Sequence, residues 1–289
     1  MSVCDLTLQL DRASKYAHAG LWRGGAPRFT IADGVPAMPK FCANLTWLFT
    51  ELPFIERFAA AKEAGFDGVE VLYPYESNAQ DIVNEVVRNG LQMVLINCPP
   101  PNYAGGDPGW AAVPDLQERF RRDFKRALRY ARTLGARHLH IMAGEASGDD
   151  ARACFIDNLR WAAAEAPKQS LTIEPISPQA MPGYFLNDFG LARDVIAEVG
   201  ADNLRLQFDA FHAANMTGDV IGTWEAMADL VVHVQVAQPP ARSEPDKGQV
   251  DYPAFFTRLD SDGYDGWVSG EYKPATTTVK GLGWMSFQK

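Results

Sequence analysis

Cysteine is scarce. The 289 residues hold four, Cys4, Cys42, Cys98 and Cys154. They form no C-x-x-C pair and no zinc-type spacing, which excludes a disulfide scaffold or a cysteine-held structural metal. Reduced thiols in a cytoplasmic protein are the expectation. Long apolar runs are missing as well: no stretch reaches the ~18 residues a membrane span needs. Residues 1–10 carry Asp5 and Gln9 and lack the basic start and apolar block of a secretion signal. Positive charge is in deficit, with 27 Lys and Arg against 36 Asp and Glu, a net −9. That balance repels phosphate backbones and anionic lipid, so neither nucleic acid nor membrane is expected as a partner unless a local basic groove offsets it.

What is present is ordinary globular material, 47% hydrophobic and 22% charged, which rules out a disordered or fibrous chain. The length suits two domains of roughly 150 residues or one α/β barrel of about 250. Residues 1–37 are rich in Gly and Pro and read as an appended, poorly ordered N-terminal extension. Residues 38–289 form the working domain. There, short apolar runs alternate with longer stretches of helical spacing. The strand candidates are 41–47, 68–73, 91–98, 138–142, 171–175, 204–209, 231–236 and 267–271. The helix candidates include 53–64, 115–134, 149–166, 188–199 and 219–230; several open on Asp and stop before Gly. Eight such units imply parallel pairing with right-handed crossovers and close into an α/β fold of the (β/α)8 TIM-barrel type. An open doubly wound sheet usually carries a glycine-rich phosphate loop after its first strand, and Leu45-Thr46-Trp47-Leu48-Phe49-Thr50 has no glycine.

Strand side chains alternate between two faces, and here the inward face is polar. Thr172 and Glu174 oppose Leu171 and Ile173. Arg205, Gln207 and Asp209 oppose Leu206 and Phe208. His233 and Gln235 oppose valines, His138 and His140 oppose Leu139 and Ile141, and Ser269 lies with Glu271. Glu174, Asp209, Gln235 and Glu271 fall at or near the C-terminal strand ends, where barrel active sites are built. Burying unpaired carboxylates costs several kcal/mol, so something positive must meet them. Four oxygen donors suit a divalent metal, Mg²⁺ or Mn²⁺ in preference to Zn²⁺. The alternative is ion pairing to a residue such as Arg205 or Lys273. His212, three residues past Asp209, leaves the strand to line the mouth, either as a substrate contact or as a histidine satisfied by local backbone. His138 and His140 read as buried, hydrogen-bonded histidines, and Glu70 as inward with no assigned purpose. Arg242, in the loop after the seventh strand, reads either as a clamp for a substrate carboxylate or as a solvated loop charge. The Pro- and Gly-rich stretch 99–106 reads as a lid or a surface-packed loop.

These residues resemble the hydroxypyruvate isomerase family of the xylose-isomerase-like barrels. The resemblance runs from Met38 nearly to the C-terminus. It rests on segments such as Pro39-Lys40-Phe41-Cys42-Ala43-Asn44-Leu45, Ile173-Glu174-Pro175-Ile176, Leu206-Gln207-Phe208-Asp209-Ala210-Phe211-His212, His233-Val234-Gln235-Val236-Ala237 and Gly270-Glu271-Tyr272-Lys273-Pro274. It implies an intramolecular oxidoreductase that converts hydroxypyruvate to tartronate semialdehyde through a metal-stabilised enediolate. Glu174 and Glu271 would be its acid/base pair, and Glu174, Asp209, Gln235 and Glu271 its metal ligands. His212, Arg242 and Lys273 would hold a small hydroxy-oxo acid. Departures fall at Ser243 and Gln249, where the family pattern has histidine and glutamate, and the loop after Gly144 looks shortened; these leave the substrate's chain length open. The rivals are an isomerase or epimerase of a longer sugar acid such as 2-oxo-tetronate, a metal-dependent phosphodiesterase on the same barrel, and a non-catalytic binding module. The short tail after Glu271 leaves little room for a full eighth helix, so that edge would be covered by the arm or by another subunit of a homo-oligomer.

Overall fold

The computed structural model describes residues 40–98 and 109–288. The 1–37 arm and the 99–106 loop lie outside the described residues. Eight parallel strands close into a barrel in sequence order: β1 (Lys40–Asn44), β2 (Gly68–Glu70), β3 (Gln92–Asn97), β4 (His138–His140), β5 (Ser170–Ile173), β6 (Leu204–Asp209), β7 (Val231–Val236) and β8 (Trp267–Gly270). All eight fall where the apolar runs place them. Glu174 and Glu271 come just after their strands rather than within them.

Between the strands run α1 (Arg57–Glu63), α2 (Ala79–Arg88), α3 (Gln117–Leu134), α4 (Gly148–Glu165), α5 (Phe189–Val199), α6 (Ala210–Thr217), α7 (Val220–Met227) and α8 (Tyr252–Ser261). Their ends are set by local chemistry. Asp188 and Asp219 accept the backbone N–H of Leu191 (2.7 Å) and Gly222 (2.8 Å), the expected N-caps. Gly135 and Gly200 close α3 and α5 with φ of 66° and 67°, a left-handed turn in which an L side chain is strained. Helices α2, α6 and α8 add to the five that the sequence suggested. The short α6 begins directly at the end of β6, so His212 sits in a helix and not on a loop.

The apolar strand face meets the helices: Leu139, Ile141, Leu171, Ile173, Leu206, Phe208, Val234 and Val236 are buried in one continuous core. The polar face fills the barrel interior. No helix among the described residues is long and apolar enough to cross a membrane.

The edge after β8 departs from expectation. The tail winds through 3-10 turns over Thr278–Gln288 and closes the barrel from within the same chain. Trp284 is 1% exposed and packs edge-on against Phe41 (4.9 Å between centroids) and Tyr272 (6.2 Å). Its indole N–H donates to the Tyr272 hydroxyl at 3.1 Å. Thr278 ties the tail to the loop after β1, with its N–H on a Glu51 oxygen (3.0 Å) and its hydroxyl accepting from the Phe49 N–H (2.6 Å). Removing so large a buried ring leaves a cavity the closed barrel cannot collapse. Trp284→Ala is therefore expected to lose about 3–5 kcal/mol of stability in urea unfolding; a loss below ~1 kcal/mol would show that the tail is not the seal described.

Candidate active site

The strand register gathers the polar side chains into layers. Asp209 is level with Gln235, and Gln235 with Ser269. Lower down, His140 is level with Thr172 and Gln207 with His233. Glu174, Asp209, Gln235 and Glu271 are all buried at the C-terminal mouth. There the structure brings Glu174, Asp209 and His212 together: one ligand atom from each lies within 4.8 Å of the others. His212 Nε2 is 3.6 Å from Asp209 Oδ2 and 4.0 Å from Glu174 Oε1. Its other ring nitrogen, Nδ1, is held by Ser177, 3.1 Å from the hydroxyl and 3.2 Å from the backbone N–H.

The positive partner of these acids is Arg242, not Arg205 or Lys273. Its Nη2 lies 2.8 Å from Asp209 Oδ2 and 3.2 Å from Glu271 Oε1, and its Nη1 3.3 Å from His212 Nε2. The guanidinium is sandwiched between Phe211 (4.7 Å) and Trp47 (5.5 Å). Its backbone adopts φ 53°, a conformation that costs a non-glycine residue energy, and the carbonyl is pinned by the Lys273 N–H at 2.8 Å. Lys273 contributes that backbone contact, while its side chain is exposed and does not reach the carboxylates. Arg205 is half-buried and donates to the Leu204 carbonyl.

Gln235, level with Asp209 on β7, has both ends of its amide engaged by other side chains. Its Nε2 donates to Glu70 at 2.8 Å, and its Oε1 accepts from Gln207 at 2.7 Å. The amide is thus engaged in the interior polar network. His138 and His140 are buried as expected, His138 on Ser170 (2.8 Å) and His140 beside Thr172 (3.5 Å). Burial, with the nearby His233, depresses both imidazoles, that of His140 to about 3.

Electrostatics follow from a surplus of acid. Burial first, then the charges of Asp209 and Glu271, push Glu174 well above the usual carboxylate range. Burial also raises Glu271, to about 8; Arg242 pulls down, while Asp209 and Glu70 push up. Burial opposes the charge on Arg242, yet Glu271, Asp209 and Glu174 outweigh it and hold the guanidinium above its ordinary value. His212 is lowered to about 4 by burial, so its imidazole is neutral at ordinary pH.

Two carboxylates and one neutral imidazole form a donor set that fits a divalent cation, and the unneutralised acid charge favours one. The sequence had placed His212 at the mouth but not among these donors. It gave no role to Trp47, Phe211 or Gln207. The signal available for Trp47 was its position in the loop after β1, at the barrel's active end.

The chain matches the family model described as xylose isomerase-like TIM barrel over residues 58–287. It is 42% identical over 254 residues to the 2-oxo-tetronate isomerase of Cupriavidus necator, covering 86% of this chain and 98% of that one. It is 37% identical over 254 residues to the hydroxypyruvate isomerase of Escherichia coli, again covering 86% and 98%. A solved structure described as an AP endonuclease, family 2, from Brucella melitensis superposes with a TM-score of 0.83 at 42% identity, covering 86% and 98%. On the family match, the closed barrel and these identities, the chain belongs to the xylose isomerase-like TIM barrel family and is an enzyme of the isomerase class.

Proposed function

We propose that the protein interconverts hydroxypyruvate and tartronate semialdehyde by moving a proton between adjacent carbons. The observation that supports this most directly is the pair of buried glutamates, Glu174 and Glu271, which flank Asp209 with pKa values held high by burial. A general acid–base group works best when its pKa lies near the operating pH, and positioned carboxylates contribute roughly 10²–10⁴-fold. One glutamate takes the proton from the hydroxyl-bearing carbon, leaving an enediolate. The other delivers a proton to the neighbouring carbon, while the hydroxyl proton passes from the first oxygen, which becomes the aldehyde, to the second, which becomes the new hydroxyl. Arg242 lies on Asp209 and Glu271 and is the cation best placed to meet the substrate carboxylate. Glu174, Asp209 and His212 would hold a divalent metal, Mg²⁺ or Mn²⁺ in preference to Zn²⁺, with Gln235 and Glu271 next to them. Such an ion supplies Lewis-acid stabilisation of charge that develops on substrate oxygens.

A longer acid of the 2-oxo-tetronate type is the second reading. It is favoured by the name of the Cupriavidus necator relative, 42% identical against 37% for the Escherichia coli hydroxypyruvate isomerase. Phosphodiester cleavage fits less well: a polyanionic backbone would approach three carboxylates met by a single guanidinium.

Three outcomes test this. Glu174→Gln and Glu271→Gln should each lower kcat/KM for hydroxypyruvate by at least ~10²-fold, followed by proton NMR in deuterated water; near-normal turnover in either variant would sink the acid/base scheme. In a panel of three- and four-carbon oxo acids, the ratio of kcat/KM values should favour hydroxypyruvate, and the reverse order would install the longer substrate. The third is thermal. A glutamate whose folded pKa is about 8, against roughly 4.3 unfolded, keeps its proton in the folded chain when the unfolded chain has lost it. Stability therefore falls as pH rises from about 5 to 8. The Tm of chelator-treated protein should drop across that window, and Glu271→Gln should flatten the drop. Mn²⁺ at pH 8 should raise the Tm again, and no response to the ion would argue against the metal site.

A further inference from the structure

We propose that Glu70 is a positioning residue: buried at the end of β2, it sets the direction of a relay of side-chain amides that crosses the barrel and aims a carboxylate oxygen of Glu174. The proposal rests on the reading of Glu174 as an acid/base group.

Glu70 is 0% exposed and belongs to none of the groups assigned above. Its Oε1 accepts from Asn44 Nδ2 and Gln235 Nε2, both at 2.8 Å, and its Oε2 faces His233 Nε2 at 2.7 Å. Both amide nitrogens donate to that one oxygen, so Asn44 and Gln235 each turn their amino end toward Glu70. Asn44 gives an independent check on that polarity, because its Oδ1 accepts the Thr46 backbone N–H at 3.0 Å. With its amino group committed to Glu70, Gln235 must present its oxygen on the far side, where Gln207 Nε2 donates at 2.7 Å. The second N–H of Gln207 reaches Glu174 Oε2 at 3.0 Å, and its Oε1 accepts the Thr172 hydroxyl at 3.3 Å. Reversing either amide would set oxygen against oxygen in a buried site. The direction therefore runs without a break from β2 through β7 and β6 to the end of β5.

The terminal contact matters because it stands alone. Among the described residues, Gln207 supplies the hydrogen bond that the Glu174 carboxylate receives. His140 Nε2 is 3.7 Å away and makes no hydrogen bond.

The decisive variants separate this role from a merely structural one. Glu70→Met removes the acceptor at similar length. It should lower kcat by on the order of 10²-fold, the cost of misplacing a reacting group by ~1 Å, and leave KM within about twofold. Glu70→Gln keeps an oxygen for Asn44 and Gln235 and turns an N–H toward His233. The His233 Nδ1 has no partner and can take the ring proton, so this variant should recover most of the lost rate. Gln235→Leu cuts the relay midway. The double variant Glu70→Met/Gln235→Leu should lose no more than the worse single, whereas independent roles would multiply.

A second readout needs no substrate. Hydrogen exchange of the ¹⁵N-labelled Gln207 side-chain amide should be slow in the wild type and in Glu70→Gln. It should be about tenfold faster or more in Glu70→Met, with backbone amides of the strands unchanged. Should Glu70→Met fail to fold, Gln235→Leu carries the same exchange test. A Gln207 amide equally protected in the variants, no rescue by Glu70→Gln, or multiplied losses would each overturn the relay. If the wild type turned over no oxo acid, the functional reading would fall while the amide exchange still decided this one.

Discussion

The molecule is organised around an imbalance of charge that its own residues do not cancel. Glu174, Asp209 and Glu271 lie buried at one end of the barrel, and a single guanidinium, Arg242, lies against them. Carboxylates removed from water repel one another strongly, and a fold tolerates that only where protons, a cation or a bound ligand take up the difference. The raised pKa values of Glu174 and Glu271 are the protein's answer when nothing else is bound. Much of the surrounding architecture serves to hold this arrangement. Trp47 and Phe211 lie against the guanidinium, Ser177 holds one side of His212, and Gln207 donates to Glu174 from the interior.

Much of this is legible in the sequence, for a simple reason. A β-strand repeats every two residues, so a polar residue opposite Leu206 and Phe208 must face the interior. That rule finds Asp209 and Gln207, and it finds Gln235 and His233 among the valines of β7. It says which way a side chain faces but not what it touches. Gln235 illustrates the difference: it faces inward as predicted, yet its amide is engaged by Glu70 and Gln207. No period governs a loop. Arg242 reaches the acids through a left-handed backbone turn after β7, and Lys273, two residues beyond Glu271, faces water.

The same physics separates the helices that could be read from those that could not. Helix α3 runs eighteen residues with a regular apolar face and a glycine stop. Helix α6 begins where β6 ends, with no turn residue between to separate its period from that of the strand. The closing tail is a run of 3-10 turns whose anchoring contact is one tryptophan, so neither period applies. What identifies it is packing against Phe41 and Tyr272, residues more than 240 and about a dozen positions away in the chain.

Asp209 is shared between two tasks. Its Oδ1 accepts the Phe211 N–H and starts α6, while its Oδ2 meets Arg242. The carboxylate thus couples the pitch of a helix to the chemistry of the mouth, since His212 rides on the first turn of that helix. The start of the helix that carries His212 and the seat of the Arg242 guanidinium thus share one anchor. Loss of that one carboxylate would therefore release a helix end and a guanidinium together, two parts of the mouth that lie on different segments of the chain.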